Sequence, residues 1–153
     1  MKIASLQLEW YFISDLHLTA NKEFDRAKVA EVKYENLTVD MECAAEKDDQ
    51  RKWQVTLKLK HQGTADANSP YSFSLEMVGF MQVAKSYPEP QVERLVRTNG
   101  PSMLFGVARE VLRDLTARGP HVTVFLPSVS FYESPHAGPP AASVPAAASS
   151  PAA

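Results

Sequence analysis

Four stretches of the chain place apolar residues at every second position. Leu6, Leu8, Trp10 and Phe12 alternate with Gln7, Glu9 and Tyr11. Leu37, Val39 and Met41 alternate with Thr38 and Asp40. Trp53, Val55, Leu57 and Leu59 alternate with Lys52, Gln54, Thr56, Lys58 and Lys60, the clearest case of the four. Tyr71, Phe73, Leu75 and Met77 alternate with Ser72, Ser74 and Glu76. A period of two is the mark of a strand buried on one face. The turn-prone runs Glu46–Asp49 and Gly63–Pro70 separate the later strands and suit hairpin connections. The pattern predicts a four-stranded antiparallel sheet, apolar on one face and polar on the other.

After Gly79 the period changes. Pro88–Glu89–Pro90 suits the start of a short helix and Asn99–Gly100 its end, since proline fits a first turn and glycine a C′ position. From Ser102 to Arg118, Leu104, Ala108, Val111 and Leu115 recur at spacings of four, three and four. Arg109, Arg113, Asp114 and Arg118 lie on the other side, and Gly119–Pro120 ends the run. His121–Leu126 is a further β-branched apolar stretch, followed by Pro127 and the aromatic pair Phe131–Tyr132. The fold class is therefore α+β: a four-stranded antiparallel sheet packed with one long helix. A single helix cannot cover the whole sheet and also bury its own second side. The expected solution is self-association, with helices sandwiched between the sheets of different subunits.

Residues 134–153 are different in kind, with 8 Ala, 5 Pro, 4 Ser and no charged residue. Five prolines exclude a helix, and no apolar side chain larger than Val144 is available to offset the entropy of ordering. The expectation is a folded domain over 1–133 and a disordered, dispensable tail over 134–153. The chain of 153 residues carries 16 basic and 18 acidic side chains, a net charge of −2. Such a balance argues against nucleic acid as a partner, because phosphate neutralisation needs a basic excess. No apolar run reaches the roughly 18 residues that span a bilayer, and the start shows no signal-peptide core. A soluble, cytoplasmic protein is expected, without membrane insertion.

Cys43 is the single cysteine, which excludes an internal disulfide and any multi-cysteine zinc site. No phosphate-binding loop, metalloprotease helix motif or nucleophile elbow occurs. The histidines His17, His61, His121 and His136 have no second ligand at helical spacing, so no metal and no cofactor are expected. His61 with Ser69 or Ser72 is the nearest thing to a base–nucleophile pairing, with no motif behind it. A small-ligand enzyme thus has no support, and a non-enzyme is expected. What does stand out is the aromatic and methionine load. Trp10, Tyr11 and Phe12 are consecutive, so both faces of that strand are aromatic, and Met77, Phe80, Met81 and Met103 add flexible apolar surface.

The run Pro101–Ser102–Met103–Leu104–Phe105–Gly106–Val107–Ala108–Arg109–Glu110, continuing to Leu115, Arg118 and Gly119, resembles the main helix of the SecB family of protein-export chaperones. Leu126–Pro127–Ser128–Val129–Ser130–Phe131 resembles that family's P-x-N-F segment, with Ser130 in place of Asn. Asp15–Leu16–His17–Leu18 resembles the end of its first strand, and Phe73 to Phe80, with Glu76 and Gly79, its fourth. Gly100 stands where the family has Cys, Gly106–Val107 where it has Pro–Tyr, and Thr19 where a Glu is usual. The family's C-terminal helix has no counterpart.

The resemblance implies a homotetramer, a dimer of dimers, and ATP-independent holding of unfolded polypeptides in apolar grooves. An extended client can offer backbone hydrogen bonds and alternate side chains to such a groove. The implied partners are unfolded preproteins or a dedicated client such as an antitoxin, and the SecA translocase motor through Asp15 and Glu76. The candidate client-binding residues are Trp10, Phe12, Leu16 and Leu18 on the first strand. Phe80, Met81, Val83 and Tyr87 join them from the segment after Gly79, with Met103 and Leu104 at the helix start. The alternative is a non-chaperone assembly module that uses its apolar stripe for one fixed partner.

Overall fold

The computed structural model describes residues 1–31, 34, 36–64 and 67–132. The segment 134–153, expected to be a disordered tail, lies outside the described residues. Strands β1 (Leu6–Ala20), β2 (Leu37–Ala45), β3 (Lys52–His61) and β4 (Tyr71–Val83) precede one helix, α1 (Val92–Thr116). The four strands form one sheet in the order β1-β4-β3-β2, with every neighbouring pair antiparallel. β2, β3 and β4 follow one another as a meander. The segment 21–36 carries the chain from the far end of β1 across to β2, giving a Greek-key order.

The alternation of the middle strands does what it promised. Val55, Leu57 and Leu59 of β3 and Leu75 and Met77 of β4 are fully buried on one face, where α1 packs through Val96, Leu104, Ala108 and Leu112. The β2–β3 turn is closed by Asp49, whose carboxylate accepts the Arg51 N–H at 2.9 Å. The β3–β4 connection is tied to the crossover by Asn68. That residue adopts a positive φ of 42°, which asparagine tolerates better than most. Its side chain accepts from Asp25 N–H and donates to the carbonyls of Asp25 and Lys28.

Three expectations need correction. First, β1 is not a simple period-two strand. Its register against β4 slips between Leu8 and Trp10 and again between Ile13 and Asp15. Glu9 and Ser14 are the unpaired residues of two β-bulges, and each bulge flips the following side chains to the opposite face. Leu6 and Leu8 therefore face the helix while Trp10 and Phe12 do not. Second, β4 runs on through Gly79 to Val83. A Cβ at residue 79 would sit 3.1 Å from methyls of both Leu104 and Leu8, so the missing side chain seats the helix on the sheet.

Third, the two helices expected around Asn99–Gly100 are one helix of 25 residues with Pro101 inside it. Proline removes one helical hydrogen bond and normally kinks or breaks a helix. Here the buried stripe Val92, Val96, Gly100, Leu104 runs unbroken past it, and burial of that stripe against the sheet outweighs the lost bond. Gly100 marks a second close approach, since a Cβ there would lie 3.0 Å from Val55. The helix ends at Thr116, whose hydroxyl bonds the Leu112 carbonyl at 2.7 Å. The chain then continues without regular structure to Tyr132.

Candidate functional site

The two bulges divide the apolar residues of β1 between two faces. The face away from α1 receives Trp10 and Phe12, opposite Phe80 and Val78 of β4. The Trp10 and Phe80 rings stack with centroids 4.4 Å apart and planes 9° from parallel. Phe12 lies 5.7 Å from Trp10 and 6.2 Å from Phe80, completing a triangle. Offset and tilted rings at such distances attract beyond their area burial. Yet Trp10 remains 56% exposed and Phe12 42%. A pocket of about 460 Å³ opens beside them, lined by Trp10, Phe80, Trp53, Ala44, Gln54 and Glu9 among others.

The helix-side face of β1 carries Tyr11, Ile13, Leu16 and Leu18, opposite Gly79, Met77, Leu75 and Phe73. Tyr11, Ile13 and Leu16 are exposed, because α1 lies over the centre of the sheet and leaves this edge strand open. Tyr11 and Ile13 were not among the expected site residues. The sign was there in the Trp10–Phe12 run, aromatic on both faces, but nothing in the sequence marks Glu9 and Ser14 as bulges.

Several expected client-binding residues lie elsewhere than on an open surface. Met81 is 2% exposed, and Val83 and Leu104 are fully buried. Odd-numbered positions of β4 point into the core, and Leu104 is seated on Gly79, so these three are core residues. Met103 and Leu18 pack against the core while staying partly exposed. Tyr87 is also partly buried, in a segment held by Arg51. Its guanidinium donates to the carbonyls of Ala84 (2.7 Å) and Tyr87 (3.0 Å).

Asp15 and Glu76 face each other across β1 and β4 on the outer face. Glu76 accepts from the Ser14 hydroxyl at 2.9 Å and pairs with Lys58 at 3.7 Å. Asp15 lies 3.2 Å from the ring of His17. The two carboxylates are thus adjacent but partly engaged within the sheet itself.

His61 and Ser69 do meet, with Nε2 and Oγ 2.9 Å apart. Both are buried, under the rings of Tyr34 and Phe73 that flank His61. Burial pushes the His61 pKa below its ordinary value, and its Nδ1 has no hydrogen-bond partner among the described residues. A nucleophile sealed from solvent meets no substrate, so the pair is a packing element. The Cys43 thiol is half-buried on β2. Burial raises its pKa, with Arg97 acting in the opposite direction. Among the described residues no three His, Cys, Asp or Glu side chains gather as metal ligands. No described helix is long and apolar enough to cross a membrane.

Comparison with known proteins then decides the family. Residues 2–134 match the family described as Preprotein translocase subunit SecB. The chain belongs to the SecB family. A protein-export protein SecB from Hyphomonas neptunium is 26% identical over 96 residues, which is 63% of this chain and 57% of that relative. The match thus spans little more than half of the curated relative's length. Among solved structures, the SecB-like chaperone of Mycobacterium tuberculosis, in complex with a ChAD peptide from an antitoxin, superposes with a TM-score of 0.57. The two share 16% identity over 82% of this chain and 91% of that one. The likeness shows a common SecB-like fold: a four-stranded antiparallel sheet with one long helix.

Proposed function

We propose that this SecB-family protein is an ATP-independent holdase, which binds unfolded or extended polypeptides on apolar surface and keeps them competent for export or folding. The observation that carries the reading is the aromatic triangle of Trp10, Phe12 and Phe80, left open beside Val78 on a sheet face that is elsewhere mostly polar. Exposed aromatic clusters of this kind mark interaction sites. Burial of one large apolar side chain is worth roughly 1.5–3 kcal/mol, so affinity for a client accrues from several weak contacts. The clients are preproteins or one dedicated protein, in the cytoplasm, and neither catalysis nor a cofactor enters. The working domain is 1–133, and 134–153 is dispensable.

The helix-side face of β1 serves a different end. Tyr11, Ile13 and Leu16 border the second side of α1, and a second copy of the chain covers both in a homotetramer built as a dimer of dimers. Asp15 and Glu76 are the points at which a SecA-type motor engages the outer face. Lys58 and Ser14 weaken that contact by occupying Glu76.

The deciding experiment is suppression of aggregation. A chemically unfolded protein is diluted into buffer without nucleotide, alone or with the chaperone. The chain should keep several unrelated probes soluble, and the combined variant Trp10→Ser, Phe12→Ser, Phe80→Ser should not. Protection of none of the probes, with capture of one fixed partner instead, would favour the assembly-module reading.

A further inference from the structure

After α1 the chain reverses and lies back along the helix it has just left. The contacts run in antiparallel order. The Val124 N–H donates to Thr116 Oγ1 at 3.0 Å. Arg109 Nη1 then approaches Ser128 Oγ at 3.5 Å, and the Phe131 ring meets Phe105 edge-on at 6.1 Å. Tyr132 finally shares a cleft with Leu95, Thr98 and Tyr87. Positions 98, 105, 109 and 116 fall on one flank of an α-helix, spaced by whole turns.

The two halves of this returning segment are held differently. Residues 121–126 are anchored, because Val124 and Leu126 are buried and the His121 N–H bonds the Tyr71 hydroxyl at 3.1 Å. Among the described residues from Pro127 to Tyr132, no backbone N–H or C=O bonds to the helix or the sheet. The one backbone bond there is local, from Tyr132 N–H to Ser130 Oγ. Val129 and Phe131 turn toward the core and stay only partly buried. Residues 127–132 dock through the alternate side chains Val129 and Phe131 beside Phe105, on a helix flank that also presents Thr98 and Arg109, which is how an unfolded client would dock.

We propose that residues 127–132 are a displaceable strap, which in the free protein occupies the flank of α1 that takes an extended client segment. The inference rests on the holdase reading and extends it. It names a second contact surface, away from the outer-face aromatic triangle, and the chemistry that fits it: an extended stretch with aromatic or β-branched residues at alternate positions. The strap keeps Phe105 and the neighbouring flank covered between clients. It leaves readily, because it is tied to the fold by side chains alone and the anchor at Leu126 remains when it goes.

The test uses the full chain with Cys43→Ser, and carries Arg109→Cys and Ser128→Cys for bridging by a short bismaleimide. The probe is reduced, alkylated lysozyme with a fluorescent label, and the readout is its Kd by anisotropy. Bridging should weaken binding at least tenfold relative to the unbridged double variant. The chain ending at Leu126 should bind several-fold more tightly than the chain ending at Glu133. If the chain ending at Leu126 does not fold, Phe131→Ala with Tyr132→Ala in the full chain should give a smaller tightening. Equal binding by bridged and unbridged protein, or weaker binding by the Phe131→Ala, Tyr132→Ala variant, overturns the strap. Binding of the probe by the parent chain that the bridge leaves untouched removes the strap alone. A parent chain that binds no probe removes the holdase reading and the strap together.

Discussion

β3 and β1 start from the same kind of pattern and end in opposite situations. In β3, residues 53, 55, 57, 59 and 61 all point inward and are buried, and the intervening positions meet solvent. In β1, two extra residues break the ladder, and of fifteen positions only Leu6 is fully buried. The difference is one of position. β3 is paired on both sides and lies under α1, so a one-residue slip would expose its whole core set. β1 is an edge strand that the helix covers only at Leu6 and Leu8, and past them bulges are tolerated and apolar side chains stay open. The central strand builds the fold, and the edge strand is free to carry surface for partners.

Deletions should break this contrast most sharply. Removing Val55 reverses the face of every β3 residue on its N-terminal side, and should abolish the cooperative unfolding transition. Removing Glu9 leaves Leu8 opposite Met81 and Trp10 opposite Phe80, as they are now. That variant should fold and keep the near-parallel Trp10–Phe80 stack, with a melting temperature close to the parent's. An unfolded Glu9 deletion would show that the bulge is structural.

Truncations probe the same contrast with smaller effect. Leu57→Ala, at a fully buried β3 site, should cost about 2–5 kcal/mol in urea unfolding. Ile13→Ala should cost under about 1 kcal/mol in the isolated subunit, as expected for a partly exposed position. It should instead shift sedimentation toward smaller species. Equal losses at the two positions would mean that Ile13 is core.

Next come the outer-face aromatics. Trp10→Ser or Phe80→Ser alone should weaken client binding modestly, and the triple variant with Phe12→Ser should remove it while far-UV circular dichroism stays unchanged. Dissociation of the oligomer by the triple variant would instead assign the triangle to assembly.

The smallest effect is a pH dependence carried by His61. Burial lowers its folded pKa below the ordinary value near 6.5. The unfolded chain therefore binds the proton more readily, and stability present above about pH 6.5 falls as pH drops through that value. His61→Gln should flatten the fall seen by thermal melts between neutral and mildly acidic pH. An unchanged slope would exclude His61 as its source.

The sheet was legible because β2, β3 and β4 are governed by local rules. Alternation sets which face is buried, and the turn residues Asp49 and Asn68 set where the chain reverses. The apolar stripe of α1 was legible for the same reason. Its continuity through Pro101 was not, because the local preference of Gly100–Pro101 is to end a helix. Only the area buried against Val55 and Met81 reverses that preference. The site was legible in composition but not in placement. Trp10 and Phe12 are exposed and Phe80 is half-buried beside them, while Met81, Val83 and Leu104, expected on the same surface, belong to the core.

By itself, the sequence determined the element types, the inward face of the central strands, the absence of motif-borne chemistry and the family. Those follow from residue spacing and residue identity, which the linear chain contains in full. The tertiary structure alone decided which strand is an edge, where β1 bulges, that Gly79 seats the helix, and that 127–132 lies back along α1. Each of these depends on what another part of the chain places opposite a residue. A bulge exists only against a partner strand, and exposure only against what fails to cover it.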